Sequence, residues 1–463
     1  MSESTASAND LPPEILTEIF VLSSECNTGV EKWCKGYHHP ITYLQRGKDE
    51  HVNPVLLGQV CRLWRDLALS LPSLWTTIIV QEPQSQAPFM LDLWLERSGN
   101  DAPLRLAAIC DNYRAGSSMK EVLARFMTLA HRWHWIRLEP CGISVEWVSK
   151  MLPAKAKISM QLDVVCLWLQ RSARTRFSDG LVVEDRHYRN VSDVFFSLPN
   201  LKAFWSNQTD LPCNISLQSC ESWNSLFLIN LAVVTVVDLF SHFPSIQHLQ
   251  HLYIGDLRGA DITSQKWPSF PICIPRLQVL KIGKVTSIAV ADVFDCLTLP
   301  ALTTLCTHIS CDPTRIYVEA LEDLLARSST ELRHLDIGWE YGSVSQNKLL
   351  FLLRSPALST LEYIRIGYAM RDLAISAITH TSNAMLLPNL KTIILPKLRS
   401  TDGLLSAMVR SRVSTYPSKL RRVCTNLDSS CSPQDSSLEV AGVKVDIDYP
   451  GRNDRHLHVP WSI

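Results

Sequence analysis

Apolar positions in the C-terminal half of the chain fall into a phrase that returns at a near-constant interval. The phrase is L-x-x-L/I/V-x-apolar, often after a proline, and it reads LQHLYI from Leu249, LQVLKI from Leu277 and LTTLCT from Leu302. It continues as LRHLDI from Leu332, LEYIRI from Leu361, LKTIIL from Leu390 and LRRVCT from Leu420. The starts step by 28, 25, 30, 29, 29 and 30 residues, a spacing that random leucine placement would not hold through seven phrases. Each phrase alternates apolar and polar positions and so predicts a short strand with one buried face. Four copies end in Ile-Gly (Ile254-Gly255, Ile282-Gly283, Ile337-Gly338, Ile366-Gly367), where the chain is expected to turn. Between the phrases lie helical stretches: VADVFDCL, YVEALEDLLARS, NKLLFLLRSP, LAISAITHT and DGLLSAMVRS. One strand and one helix cannot bury their own apolar side, so such units must stack on their neighbours. The pattern extends weakly upstream through LWTTIIV (74–80), PLRLAAI (103–109), RWHWIRL (132–138), DVVCLWL (163–169), LKAFWS (201–206) and LFLINL (226–231). Helices FMLDLWLERS and MKEVLARFMTLAHR fill the first two upstream gaps.

The first seventy residues follow a different pattern. Asp10 is a candidate N-cap and Pro13 suits a first helical turn, which has no N–H to lose. Ile15, Leu16, Ile19 and Phe20 then form one apolar face of a short helix. After a polar segment, Cys26 to His51, Asn53-Pro54 gives a second start signal. The helix it opens carries Leu57, Val60, Cys61, Trp64, Leu67, Ala68 and Leu71 as one stripe, with Leu56 and Leu63 on its flank. A helix apolar over so much of its circumference must be covered on more than one side. Two helices and a Pro72–Trp75 turn cannot supply that cover, so the rest of the chain or a partner must. Phe20, Leu57 and Leu71 are expected to hold the helices together.

The phrases L-P-P-E-I-L-x-x-I-F and V-C-R-x-W-R-x-L-A-x-x-x-P-x-L-W, spread over residues 10 to 76, resemble the F-box. In particular they resemble the variant common in mushroom-forming fungi, and they depart from the usual pattern by the long insertion at about 26–51. Loop closure tolerates such an insertion because its cost grows slowly with length. The strand-plus-helix period is similar to a leucine-rich repeat, although the usual asparagine or cysteine after the strand is missing. Together these resemblances imply an α/β chain with a disordered tail (1–9), a helical F-box (10–76), a leucine-rich-repeat-like solenoid (77–430) and a C-terminal cap or tail (431–463). In such a solenoid, parallel strands line the concave side and helices the convex side.

The F-box resemblance implies a docking surface for the Skp-type adaptor of a cullin-based, SCF-type ubiquitin ligase. Leu11 and Pro12 match its Leu-Pro contact, Ile15, Leu16 and Ile19 its first helix, and Val60, Cys61, Trp64 and Leu67 its second. An aromatic and aliphatic patch with few charges suits an interface core. The repeats would then hold an unknown protein target. Alternation points His251, Tyr253, Lys281, His334, Asp336, Tyr363 and Arg365 out of the strands, with Asp256, Lys284, Trp339 and Tyr368 at the strand ends. The chain is accordingly expected to be a non-catalytic receptor subunit; the alternative is an F-box-like scaffold outside any ligase.

Composition narrows this further. Lys and Arg total 45, as do Asp and Glu, and no basic run is evident, which argues against nucleic-acid binding. The polar N-terminus MSESTASAND lacks a signal-peptide core, and the longest apolar run, about Leu226 to Phe240, is too short for a membrane span. A cytoplasmic or nuclear location follows as an expectation, and in that setting the sequons at Asn190, Asn207 and Asn214 are chance matches. The 14 cysteines then read as reduced thiols, Cys61 among them as a small buried side chain despite Arg62 and Arg65. Cys26, Cys34, His38, His39 and His51 fit no tight zinc spacing, so no metal or cofactor is expected. No nucleophile elbow, phosphate loop or H-E-x-x-H helix is present to support a cryptic hydrolase.

Overall fold

The computed structural model describes residues 11–24, 54–81, 83, 85–110, 116–140, 143–169, 181–206, 222–228, 247–255, 271–285, 287–309, 315–339, 346–367, 369–380, 386–401, 403–414, 419–427 and 443–448. The chain divides into two compact units, with the boundary between Ser206 and Asn207. Both are α/β and built on parallel strands. The 26–51 insertion, with its cysteines and histidines, and the tail 1–9 lie outside the described residues.

The first unit begins with α1 (Pro13–Ser24), α2 (Pro54–Val60), α3 (Arg62–Ser70) and a 3₁₀ turn, Pro72–Trp75. Its strands are β1 (Thr77–Gln81), β2 (Leu104–Cys110), β3 (Trp133–Pro140), β4 (Val164–Leu167) and β5 (Ala203–Ser206), parallel and in chain order. Parallel neighbours need a crossover connection, and helices supply it: α4 (Ala87–Arg97), α5 (Gly116–Thr128), α6 (Val145–Met151) and α7 (Leu181–Phe196). Trp75 is the joint between the opening helices and β1. It is fully buried, donates Nε1–H to the Ala68 carbonyl at 2.9 Å, meets Trp94 edge-on at 5.0 Å and lies under the Arg97 guanidinium.

The second unit repeats the strand-and-helix plan. Its long parallel series is β6 (Ser225–Leu228), β7 (His251–Ile254), β9 (Val279–Val285), β11 (Thr304–Ile309), β12 (His334–Trp339), β13 (Tyr363–Ile366), β15 (Thr392–Arg399), β16 (Arg422–Leu427) and β17 (Lys444–Asp448). Each pairs with the next in this series. The short β14 (Met370–Arg371) joins β15, while β8 (Ile272–Cys273) and β10 (Leu297–Thr298) form a separate pair. The crossover helices are α8 (Ser287–Asp295), α9 (Arg315–Ser328), α10 (Gln346–Leu353), α11 (Asp372–Ile378) and α12 (Leu404–Val413), each packed on the next.

The recurring phrase explains this order residue by residue. Its first leucine is buried in every copy: Leu249, Leu277, Leu302, Leu332, Leu361, Leu390 and Leu420. Its fourth position, Leu280, Leu305, Leu335, Ile364, Ile393 and Val423, runs in register across six strands and is also buried. The sixth position faces the helices. There Thr307 replaces an aliphatic residue, and its hydroxyl meets the Tyr317 phenol of α9 at 2.8 Å, so the buried polar pair is satisfied. A backbone device repeats as well. The carbonyl before each of β6, β7, β9, β11, β12, β13 and β15 accepts two N–H groups from the following repeat, for example Gln250 from Gln278 and Val279, Thr303 from Arg333 and His334, and Lys391 from Arg421 and Arg422. Arginines near helix ends bind carbonyls of the preceding repeat. Arg327 Nη2 donates to the Phe294 and Leu297 carbonyls at 2.8 and 3.0 Å. Buried Arg412 donates to those of Ile378, Leu386 and Leu387 at 2.7, 2.7 and 3.1 Å. A cation at a helix C-terminus also meets the dipole favourably.

Three expectations need correction. The single helix from Asn53-Pro54 is two, because Cys61 is extended (φ −156°, ψ 176°) and caps α3, its Sγ accepting the Trp64 N–H at 3.5 Å. Cys61 is therefore half-buried at a cap, not a core side chain on a stripe. Arg65 Nε donates to the Gly58 carbonyl at 2.8 Å and ties the two short helices across the break. Of the Ile-Gly pairs, Gly283 and Gly338 lie inside strands instead of at turns. At Gly338 an added Cβ would collide with the His308 ring, so the glycine admits that ring from the paired strand. At the far end of the chain, β17 extends the parallel arrangement past residue 430.

Candidate functional site

Two surfaces hold the residues singled out from the sequence, one in each unit. In the first unit, Leu11, Ile15, Ile19 and Leu22 fall along one side of α1 and its lead-in at spacings of 4, 4 and 3, and all are exposed. Val55, Leu56 and Val60 are exposed on α2, as are Leu63 and Leu69 on α3. Nine of the fourteen large apolar side chains exposed among the described residues thus lie between Leu11 and Leu69. Single exposed leucines are ordinary, but elsewhere among the described residues they are scattered, and here they are concentrated.

The expected docking residues divide by burial. Leu11, Pro12, Ile15, Ile19 and Val60 are exposed, while Cys61, Trp64 and Leu67 are half-buried. Leu16 is 1% exposed and turned inward, so it supports the surface without presenting area on it. Phe20 and Leu57 are buried as expected, and Leu71 is half-buried. Trp64 packs edge-on against Phe20, ring centroids 4.9 Å apart, which sets α3 against α1. The structure adds Leu22, Val55 and Leu69 to the surface. Leu22 continues the helical spacing of Ile15 and Ile19 along α1, a signal present in the sequence. The exposure of Val55 and Leu69 depends on the break at Cys61.

In the second unit, the strand face turned away from the helices carries two cross-strand rows. One runs His251, Val279, Thr304, His334, Tyr363, Thr392, Arg422 and Lys444. The other runs Tyr253, Lys281, Cys306, Asp336, Arg365, Ile394, Cys424 and Asp446. The structure therefore brings six of the expected target-binding residues onto one face beside Cys306, and His251 onto the same face at its start. His334 stacks on Tyr363, ring centroids 3.8 Å apart and planes 9° from parallel. Arg365 Nη1 donates to both Asp336 carboxylate oxygens, at 3.1 and 3.3 Å. Trp339 belongs to β12, but its side chain lies outside the described residues, as do Asp256, Tyr368 and the side chain of Lys284.

Burial sets the electrostatics of this face. It pushes the Asp336 carboxyl up, against the opposing pull of Arg365 and Lys281. Burial, with Lys281 alongside, holds His334 down to about 4, so its imidazole is neutral at pH 7. The Cys306 thiol is pushed up to about 12 by burial and by Asp336, which keeps it protonated and unreactive. The row is a set of compensated charges flanked by rings, suited to recognition by contact. Among the described residues no group of three or more His, Cys, Asp or Glu is placed to hold a metal, and no helix is long and apolar enough to cross a membrane.

A third feature has no counterpart in the sequence pattern. Glu362, Asn389, Lys391, Lys419 and Arg421 line a cleft of about 300 Å³ at the strand starts of β13, β15 and β16. Its residues lie before the strands, where the apolar alternation carries no signal.

No family model and no curated protein matches the chain. Among solved structures, the crystal structure of a structural-genomics target protein from Bacteroides fragilis is similar over 75% of this chain and 79% of that one, at 13% identity and a TM-score of 0.34. At that score the likeness bears on neither fold nor function.

Proposed function

We propose that the chain is the substrate-recognition subunit of a cullin-based, SCF-type ubiquitin ligase. In this reading residues 10–76 form an F-box that docks a Skp-type adaptor, and residues from 77 onward form a leucine-rich-repeat solenoid that binds a protein target. The observation that carries the reading is the concentration of exposed apolar side chains on α1, α2 and α3, in the segment whose phrases resemble the F-box. Strand order that follows chain order, with helices in the crossovers, supports the solenoid. The docking contacts are Leu11, Pro12, Ile15, Ile19 and Val60, with Cys61, Trp64 and Leu67 at the edge and Leu16 beneath them.

The test is a pull-down of the full chain with a purified Skp-type adaptor. Binding is expected, and Leu11→Ala with Val60→Asp should abolish it while the far-ultraviolet circular dichroism stays unchanged. A wild-type chain that ignores the adaptor would remove the ligase reading and leave the alternative, an F-box-like scaffold working outside any ligase.

A further inference from the structure

From Asn224 to Arg421, the residue just before each strand of the long parallel series does the same backbone work: its carbonyl accepts N–H groups from the next repeat. Its side chain is free of that duty, so its identity is not set by the fold. In the early repeats these positions are neutral: Asn224, Gln250, Gln278 and Thr303. In the later ones they are charged: Arg333, Glu362, Lys391 and Arg421. Lys419 adds a further cation two residues before Arg421. The change is local, because the chain as a whole carries equal numbers of acidic and basic residues.

The cleft lined by Glu362, Asn389, Lys391, Lys419 and Arg421 therefore holds three cations against one anion. Lys391 Nζ pairs with Glu362 at 2.6 Å and, with Arg333 and Lys419 adding smaller effects, holds that carboxyl below its ordinary range. The Lys419 Nζ donates to the neutral Asn389 Oδ1, at 2.6 Å. Arg421 makes one long side-chain hydrogen bond, 3.5 Å, to the Leu420 carbonyl. Neither has a carboxylate within ion-pairing distance among the described residues. Among the described residues, two positive charges converge on one cleft without an ion-pair partner of their own.

We propose that this cleft takes an acidic, carboxylate-bearing segment of a partner protein, with Lys419 and Arg421 receiving its carboxylates. Arginine suits a carboxylate through its planar fork, and lysine through a mobile point charge. The cations are too few, and the cleft's own Glu362 too close, for the phosphate-tracking groove of a nucleic-acid binder. The inference rests on reading the repeats as the target-binding part, and it names the chemistry of what they would bind.

The experiment uses the full chain and a fluorescein-labelled peptide of alternating Glu and Gly, followed by anisotropy at low salt. Saturable binding is expected, lost when every Glu of the peptide is replaced by Gln and weakened at least about tenfold in roughly 0.5 M salt. Lys419→Glu with Arg421→Glu should weaken it more than about tenfold, whereas Lys120→Glu, an exposed site in the first unit, should leave it within about twofold. If the charge-reversed pair melts early, Lys419→Gln with Arg421→Gln carries the same test. Absence of binding by the wild type, equal binding by the cleft variants, or a single-stranded RNA bound in preference to the peptide would each overturn the proposal. Adaptor pull-down is independent of these readings. Its failure with peptide binding intact removes the ligase reading, and the converse removes the acidic-segment reading.

Discussion

The helices at the start of the first unit and the strands of the second treat apolar side chains in opposite ways. In β9 to β16 the repeat places Leu280, Leu305, Leu335, Ile364, Ile393 and Val423 in register, and neighbouring repeats bury all of them. In α1 to α3 the apolar positions are as dense, yet Leu22, Leu56 and Val60 are 61%, 54% and 58% exposed. A repeat has a neighbour with the same requirement on each side, and its core closes by stacking. The three short helices pack on one another and on the Trp75 joint, and part of their apolar surface is exposed. Equal hydrophobicity in sequence thus yields stability in one region and an available surface in the other.

The largest expected effect tests the buried side of that contrast. Leu335→Ala removes a fully buried side chain between two occupied neighbours and should cost about 2–5 kcal/mol in equilibrium unfolding, whereas Val60→Ala should cost less than about 0.5 kcal/mol. Similar losses at the two sites would erase the distinction. Arg412→Met should cost about 2–4 kcal/mol in denaturant titration, because three carbonyls lose their donor in a buried setting. A neutral result would mean that water replaces the guanidinium.

A third prediction concerns acid. The folded His334 is held near 4, against an ordinary value of 6.5. Between those values the unfolded chain takes up a proton that the folded chain refuses, so stability falls as the pH drops from 6.5 toward 4. His334→Asn should remove about 1–3 kcal/mol of that dependence, read from unfolding midpoints at about pH 7 and pH 4. An unchanged slope would place the imidazole in solvent, not stacked on Tyr363. The smallest effect is at the break between α2 and α3. Cys61→Ser keeps a side-chain acceptor for the Trp64 N–H and should be neutral or stabilising in thermal melts, while Cys61→Ala should cost about 0.5–1 kcal/mol. If serine proved as costly as alanine, the capping role would fail.

Much of the fold is legible along the chain. The phrase L-x-x-L-x-apolar locates β7, β9, β11, β12, β13, β15 and β16, because a period-two pattern with one buried face leaves a strong mark even in short segments. The intervening helices follow from their spacing. Less legible are α6, α7 and β17, whose segments carry weaker periodicity, and the interruption at Cys61, which looks like one turn in a continuous stripe. Two in-strand glycines look like turns in sequence, since Gly338 owes its place to the ring of His308 on the paired strand, a contact invisible along the chain. Of the surfaces, the apolar residues of α1 are readable from spacing. The inward turn of Leu16 and the outward turn of Val55 and Leu69 are not, because they depend on how three helices pack.

Linear order is enough to specify the repeat, the alternation of strand and helix, and the excess of apolar residues in the first seventy positions. These are properties of spacing, and spacing is fixed by covalent connectivity. Packing decides the rest: which of those apolar residues are covered, that Asp336 meets Arg365 across a strand pair, and that Glu362, Lys391, Lys419 and Arg421 share a cleft. Residues about one repeat apart become neighbours only when the repeats stack in register, and the charge they jointly present exists only then.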